Sequence, residues 1–272
     1  MKKVSKVVIL ALAFLLFSST VLFANGAKES GSVLAKIKQS GKLVVGTEAQ
    51  YAPYEFKDAN ANIVGCDMFL AKEIADHLGV KLEIVDMAFD GLIPAIQSGQ
   101  IDISIAAFTN TPERAEIVDF SDIYEESIQY LVVAAGNEDV YTSVDSLAGK
   151  KVGAQRGTLQ SQLIKKVFTK SELFELAKYP ELAIEVKNGN IAGLVVDAAV
   201  GDAIVESSDG KLVVSNYKFD SKEASYGKSI VIKKGNEDLV AEINKVVQKV
   251  LSDGSYQKAW DEAVALQKEL GL

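Results

Sequence analysis

The feature that most constrains this chain is an alternation running almost its whole length. Short apolar segments of strand length are each followed by a stretch whose apolar residues recur at helical spacing. KLVVGT (42–47) reads as a strand, MFLAKEIADHLG (68–79) as a helix capped by Asp67, and KLEIVDM (81–87) as a strand. FDGLIPAIQSG (89–99) is a helix, DISIAAF (102–108) a strand, TPERA a short helix and IQYLVVAA (128–135) a strand. The polar, turn-rich GNEDVYTSVDSLAGK (136–150) then breaks the series, which restarts at KVGAQ (151–155). A helix over about 159–168, a strand near 173–179, a helix over 180–189 and the buried strand IAGLVVD (191–197) follow. Next come the helix AAVGDAIVESS, the strands KLVVS and SIVIKK (229–234), and two amphipathic helices in the tail. Such β-α-β units, joined by right-handed crossovers, give mostly parallel sheets. The fold class expected is α/β: two lobes with a cleft at the carboxyl ends of the strands. No short-period repeat is present, which excludes a solenoid.

The first residues stand apart from this pattern. MKKVSK followed by VVILALAFLLFSSTVLFA has the basic and apolar regions of a secretory signal peptide, residues 1–24, with cleavage after Ala24. An uncleaved anchor is the alternative, because the apolar run nears spanning length. Residues 25–32, NGAKESGS, read as a polar linker. Removing 1–24 takes away Lys2, Lys3 and Lys6 and no acid, so the formal charge of -8 becomes -8 - 3 = -11. An exported chain this acidic is not a nucleic-acid binder. Cys66 is the only cysteine and His77 the only histidine, so an intramolecular disulfide and a zinc cluster are both excluded. His77 falls on the solvent side of its helix, away from any catalytic pairing. No catalytic residue, metal site or cofactor is expected.

Binding groups in open α/β sheets collect just after strands and at helix starts. At those places stand Glu48, Tyr51 and Tyr54 after the first strand, and Thr109 and Arg114 after DISIAAF. Gln155, Arg156, Gly157 and Thr158 follow KVGAQ, and Asp197 ends an apolar strand. Thr111 reads as an N-cap and Pro112 as the first helical residue, so Arg114 occupies the third helical position, where a cation opposes the helix dipole. Either it is a surface arginine paired with Glu113 or Glu116, or it faces an external anion together with the helix start. Its planar fork matches a carboxylate in two parallel hydrogen bonds. Thr158 either caps its helix or joins Arg114 on that anion. Asp197 either caps the next helix or takes a cation. An anion site and a cation site across one cleft describe a zwitterion, of which a free α-amino acid is the simplest.

These stretches resemble the extracytoplasmic amino-acid-binding proteins of ABC importers, solute-binding protein family 3. The similarity runs over about 34–266, through GTEAQYAPYEFKDANANIVGCDM, AAFTNTPERAEIVDFSDIYEE, KVGAQRGT and VKNGNIAGLVVD. The resemblance implies the type II periplasmic-binding-protein fold, with 33–132 and 227–272 forming one lobe and 133–226 the other, joined by a two-segment hinge. It implies that Arg114 grips the α-carboxylate, aided by Thr109, Thr158 and Leu159. Asp197 would hold the α-ammonium, aided by Thr109 and the Ala107 carbonyl. Glu48, Tyr51, Cys66 and Gln155 would line the side-chain end. Cys66 stands where an aromatic is usual and Phe69 where an acid is usual, while Ala192 and Gly193 replace a common Asp-Ala pair. Glu48 argues against an acidic ligand and favours a polar or basic side chain.

The function expected is capture of a free L-amino acid by lobe closure, outside the cytoplasm or in the periplasm. The protein would act as a monomer that delivers to an ABC permease with its ATPase subunit. The alternatives are a small-carboxylate dehydratase on the same scaffold, with Glu48 as general acid, or a sensory binding protein, which would be expected to continue into a membrane-spanning segment.

Overall fold

The computed structural model describes residues 32–126, 128–220 and 226–272. The expected signal segment, 1–24, and the expected linker up to residue 31 lie outside the described residues.

The chain starts with α1 (Val33–Ser40), N-capped by Ser32, whose hydroxyl accepts from the Ala35 N–H at 3.2 Å. Then come β1 (Lys42–Thr47), the small hairpin β2 (Phe56–Lys57) and β3 (Ile63–Val64), α2 (Cys66–Leu78), β4 (Lys81–Asp86) and α3 (Phe89–Ser98). Next are β5 (Ile103–Ser104), the short α4 (Pro112–Ala115), β6 (Val118–Phe120) and β7 (Glu125–Glu126). The middle of the chain holds β8 (Gln129–Ala134), β9 (Lys151–Gln155), α5 (Leu159–Val167), β10 (Glu172–Leu176), α6 (Tyr179–Lys187), β11 (Gly193–Asp197), α7 (Ala198–Glu206) and β12 (Leu212–Val214). It ends with β13 (Gly227–Lys228), β14 (Val231–Lys233), α8 (Glu237–Ser252) and α9 (Ser255–Leu270).

These strands make two five-stranded sheets, ordered β4-β1-β5-β14-β6 and β10-β9-β11-β8-β12. In the first, β1 is parallel to β4 and β5, and β14 runs antiparallel to β5 and β6. In the second, β9 is parallel to β10 and β11, and β8 runs antiparallel to β11 and β12. Each sheet is thus a parallel β-α-β core extended by antiparallel strands. The antiparallel additions are the strands entering from, or returning to, the other lobe. β8 pairs wholly within the second sheet. The two crossings meet as β7 and β13, which pair antiparallel, Gly227 with Glu126 and Lys228 with Glu125.

Both faces of each sheet are covered, which is why the strands read as near-continuous apolar runs. Along β1, Leu43 and Val45 join α2's Leu70 and Ile74 in one cluster, while Val44 faces the opposite cluster with Leu92 and Ile96 of α3. In the second lobe, Leu194 and Val196 pack with Leu182 of α6, and Val195 with Ile164 and Phe168 on the other side. Each such side chain contributes roughly 1.5–3 kcal/mol on burial.

Two element boundaries differ from those expected. The second helix begins at Cys66, with Gly65 and not Asp67 outside its first turn. Gly65 has φ +125°, and a Cβ on it would lie 2.1 Å from the Tyr54 carbonyl oxygen, so only glycine lets the helix start so close to that backbone. The strand expected to reach 108 ends at Ser104. Asp67, fully buried in the first turn of α2, accepts from the Ala107 N–H at 2.7 Å and from the Tyr124 hydroxyl at 3.1 Å. Ala107, with φ +47°, is thereby turned out of the ladder.

Candidate functional site

Arg114 reaches its place through local helix chemistry. Thr111 caps α4, accepting from the Arg114 N–H at 3.3 Å, and Pro112 supplies the first helical residue. The side chain then folds back beneath its own loop. Nη1 donates to the Thr109 carbonyl at 2.8 Å, and Nη2 crosses to the second lobe to donate to the Gly157 carbonyl at 3.0 Å. The guanidinium lies 5.5 Å from the Phe89 ring centroid and 5.1 Å from that of Phe108. It is only 6% exposed, and burial lowers its pKa to about 10. Among the described residues no carboxylate stands within ion-pair distance of it. The surface pairing with Glu113 or Glu116 is thus not what this side chain does.

Arg114 borders a small cavity between the lobes. Glu48, Tyr51, Ala107 and Thr109 share the first-lobe wall with it, and Gln155, Leu159, Tyr179 and Asp197 form the facing wall. Several bonds pass from wall to wall. The Gln155 amide donates to Glu48 Oε2 at 3.4 Å, the Tyr51 and Tyr179 rings lie 5.0 Å apart, and Arg156 pairs with Asp90 at 3.5 Å. Gly157 meets the start of α3 directly. With φ +78°, a Cβ on it would sit 3.1 Å from Asp90 Cβ.

Glu48 is 5% exposed, and burial, with the Asp86 charge adding to it, raises its pKa to about 7 against the opposing hydrogen bond from Gln155. It is therefore a carboxyl poised to ionise when a cation arrives. Tyr179 is buried with its hydroxyl lacking a hydrogen-bond partner at normal geometry, on the same wall as Asp197. Unsatisfied buried polar groups cost about 1–3 kcal/mol, so a polar ligand beside this hydroxyl would be favoured.

Asp197 ends β11. It caps α7, accepting from the Ala199 N–H at 3.3 Å, and it faces the cavity. It also accepts from the Tyr54 hydroxyl at 3.3 Å and pairs with Lys228 Nζ at 3.0 Å.

Two of the expected site residues do not line this cavity. Thr158 spends its hydroxyl on capping, accepting from the Ser161 N–H at 3.2 Å and donating to the Gln155 carbonyl at 2.7 Å, and it is not on the cavity wall. Cys66 is fully buried in the core beneath the cavity, its Sγ accepting from the Tyr256 hydroxyl at 3.7 Å. Its thiol is pushed up by burial. Because α2 starts at Gly65, Cys66 points into the packing of α2 on α9 and not toward the cleft.

The sequence reading did not identify Phe89, Gln160, Tyr179, Glu55 or Lys228. The first four lie on the cavity wall. Glu55 and Asp67 are both buried carboxyls, and burial raises both pKa values, with the Asp67 charge adding to the rise at Glu55. Lys228 carried a signal that was available, a lysine beside an apolar strand in YGKSIVIKK.

The chain matches the model of bacterial extracellular solute-binding proteins, family 3, over residues 43–263. It is 32% identical to the arginine-binding extracellular protein ArtP of Bacillus subtilis, covering 87% of this chain and 90% of ArtP. Among solved structures, the amino acid ABC transporter substrate-binding protein AbpA of Streptococcus pneumoniae, bound to L-arginine, superposes with a TM-score of 0.83 at 32% identity. That match covers 86% of this chain and 98% of AbpA. An ancestral arginine-binding protein, solved with arginine and with glutamine, matches at 41% identity and a TM-score of 0.75, over 82% of this chain and 97% of that one.

Proposed function

The chain belongs to the bacterial extracellular solute-binding proteins, family 3, and from that premise we propose that it captures a free L-amino acid with a basic side chain, arginine first among them. The observation that carries this reading is Arg114: a buried guanidinium on a cavity wall, without a carboxylate partner among the described residues. Leaving such a cation uncompensated costs several kcal/mol, which an incoming carboxylate removes. The ligand's α-carboxylate takes the Arg114 fork, with Thr109 and the Leu159 end of α5 beside it. Its α-ammonium sits at Asp197 near the Ala107 carbonyl. Its cationic end reaches Glu48 and Gln155, with Tyr51 and Tyr179 as aromatic walls. Relatives bound to arginine support that choice, and the ancestral protein bound to glutamine supports a side-chain pocket that tolerates a neutral polar end.

Mechanically, each wall supplies half of the contacts, so ligand binding favours the closed arrangement, with β7 and β13 as the hinge. Residues 1–24 export the chain, and the monomeric closed form delivers its ligand to an ABC permease with its ATPase subunit. A thermal-shift screen of the twenty amino acids tests the proposal. A ligand at 100 times its Kd stabilises the fold by about 2.7 kcal/mol, and L-arginine is expected to give the largest shift. Arg114→Ala should stay folded and lose that shift, with affinity down on the order of 100-fold or more. An unchanged shift would remove Arg114 from the site. Turnover of a small carboxylate by the pure protein would instead favour the dehydratase reading.

A further inference from the structure

Lys228 lies on β13, one of the two crossing strands, yet it is 1% exposed, which is rare for lysine. Its Nζ stands 3.0 Å from Asp197 Oδ2 and 3.4 Å from Glu125 Oε1, and 4.6 Å from the centre of the Tyr54 ring. An ammonium has three N–H donors, and these three neighbours account for all of them. The Tyr54 hydroxyl ties the two acids together, lying 2.7 Å from Glu125 and 3.3 Å from Asp197. The Tyr256 hydroxyl adds a bond to Glu125 at 3.1 Å. Lys228 is thus fully engaged, is not on the cavity wall, and acts on any ligand only through Asp197.

Resting on the reading that Asp197 meets the α-ammonium, we infer that Lys228 is an internal rival of that ammonium. It is a positioning residue that already neutralises the Asp197 carboxylate, so that the amine adds little to affinity and ligands without it still bind. The physics is the repulsion of two cations that share one carboxylate in a poorly solvated place. Lys228 holds the Asp197 carboxylate in place in the ligand-free protein. The arriving amine meets a carboxylate whose charge is already partly offset by Lys228, which it shares with Glu125, and not a bare anion. Selectivity then rests on the Arg114 and Glu48 ends of the cavity. The substrate class widens from amino acids to basic ω-substituted carboxylic acids.

The test compares L-arginine with 5-guanidinopentanoate, its analogue lacking the amine, by calorimetric titration at pH 8 of the natural protein and of Lys228→Met. Loss of a fully desolvated charge partner costs 2–5 kcal/mol, roughly 30-fold or more in Kd. The natural protein is expected to lose less than about 30-fold on removal of the amine. Lys228→Met should lose at least tenfold more than that, since the amine then meets the Asp197 charge without the Lys228 ammonium beside it. A lysine that merely braces the fold would lower the melting temperature and leave the ratio of the two affinities unchanged, and an equal ratio in both proteins overturns the inference. If Lys228→Met does not fold, the natural protein still decides: a loss beyond about 30-fold overturns the inference and a smaller one supports it. If arginine does not bind, the arginine reading fails by itself. The same comparison then passes to the amino acid with the largest melting shift and its deaminated acid, and absence of binding by all twenty overturns both.

Discussion

Glu48 makes ligand affinity and fold stability respond to pH in opposite directions. Its carboxyl is held at about 7 by burial, against a usual 4.5. A guanidinium binds the ionised form, so at pH 5 the ligand must first displace a proton that is bound in nearly every molecule. The penalty is a factor of about 100 in Kd, or ~2.7 kcal/mol, relative to pH 9. The slope is about tenfold per pH unit below 7. Stability of the ligand-free protein runs the other way. A carboxyl with a raised folded-state pKa contributes stability below its unfolded value, near 4.5, and that contribution is lost as pH rises through 7. For this buried group it is on the order of 3 kcal/mol. Titration calorimetry with L-arginine from pH 5 to 9, in buffers of different ionisation enthalpy, should show release of about half a proton per ligand at pH 7. Urea unfolding without ligand should give a midpoint that falls over the same range. Glu48→Gln should flatten both profiles. A constant Kd from pH 5 to 8, or an undiminished slope in Glu48→Gln, would refute the assignment of Glu48 to the ligand's cationic end.

Other positions separate fold from binding. Gly65→Ala sets a Cβ against the Tyr54 carbonyl at a positive φ, and urea unfolding should show a loss of roughly 2 kcal/mol or more. Cys66→Ala is expected to cost about 1 kcal/mol in stability and to leave the Kd for arginine within about twofold, because the sulfur lies in the core; a large change in Kd would return Cys66 to the cavity wall. Thr158→Ala should lose about 1 kcal/mol through its missing cap, measured by thermal unfolding, while calorimetry shows a small change in affinity.

The two-lobed α/β architecture was legible because burial writes itself into sequence period: Leu43, Val44 and Val45 alternate between two clusters, and the helices show their apolar stripe. Arg114 was legible from Thr111 and Pro112, which fix a helix start whatever the fold. Asp197 was legible as an acid closing an apolar strand. Cys66 was misplaced because its direction depends on Gly65 meeting the 53–54 backbone, a contact between segments that no local pattern records. Tyr179 read as the end of a strand, but it begins α6, where Pro180 fits the first turn. Lys228 was missed because its partners, Asp197 and Glu125, come from β11 and β7 and meet only where the two crossing strands pair.

The close approach of Gly157 to Asp90 has a practical consequence. On the proposed closure, a methyl group at that position would act as a wedge, since it would lie 3.1 Å from Asp90 Cβ in the arrangement described. On that reading affinity could be dialled down from a glycine that offers the ligand no side chain and whose tie to recognition is the carbonyl that holds Arg114.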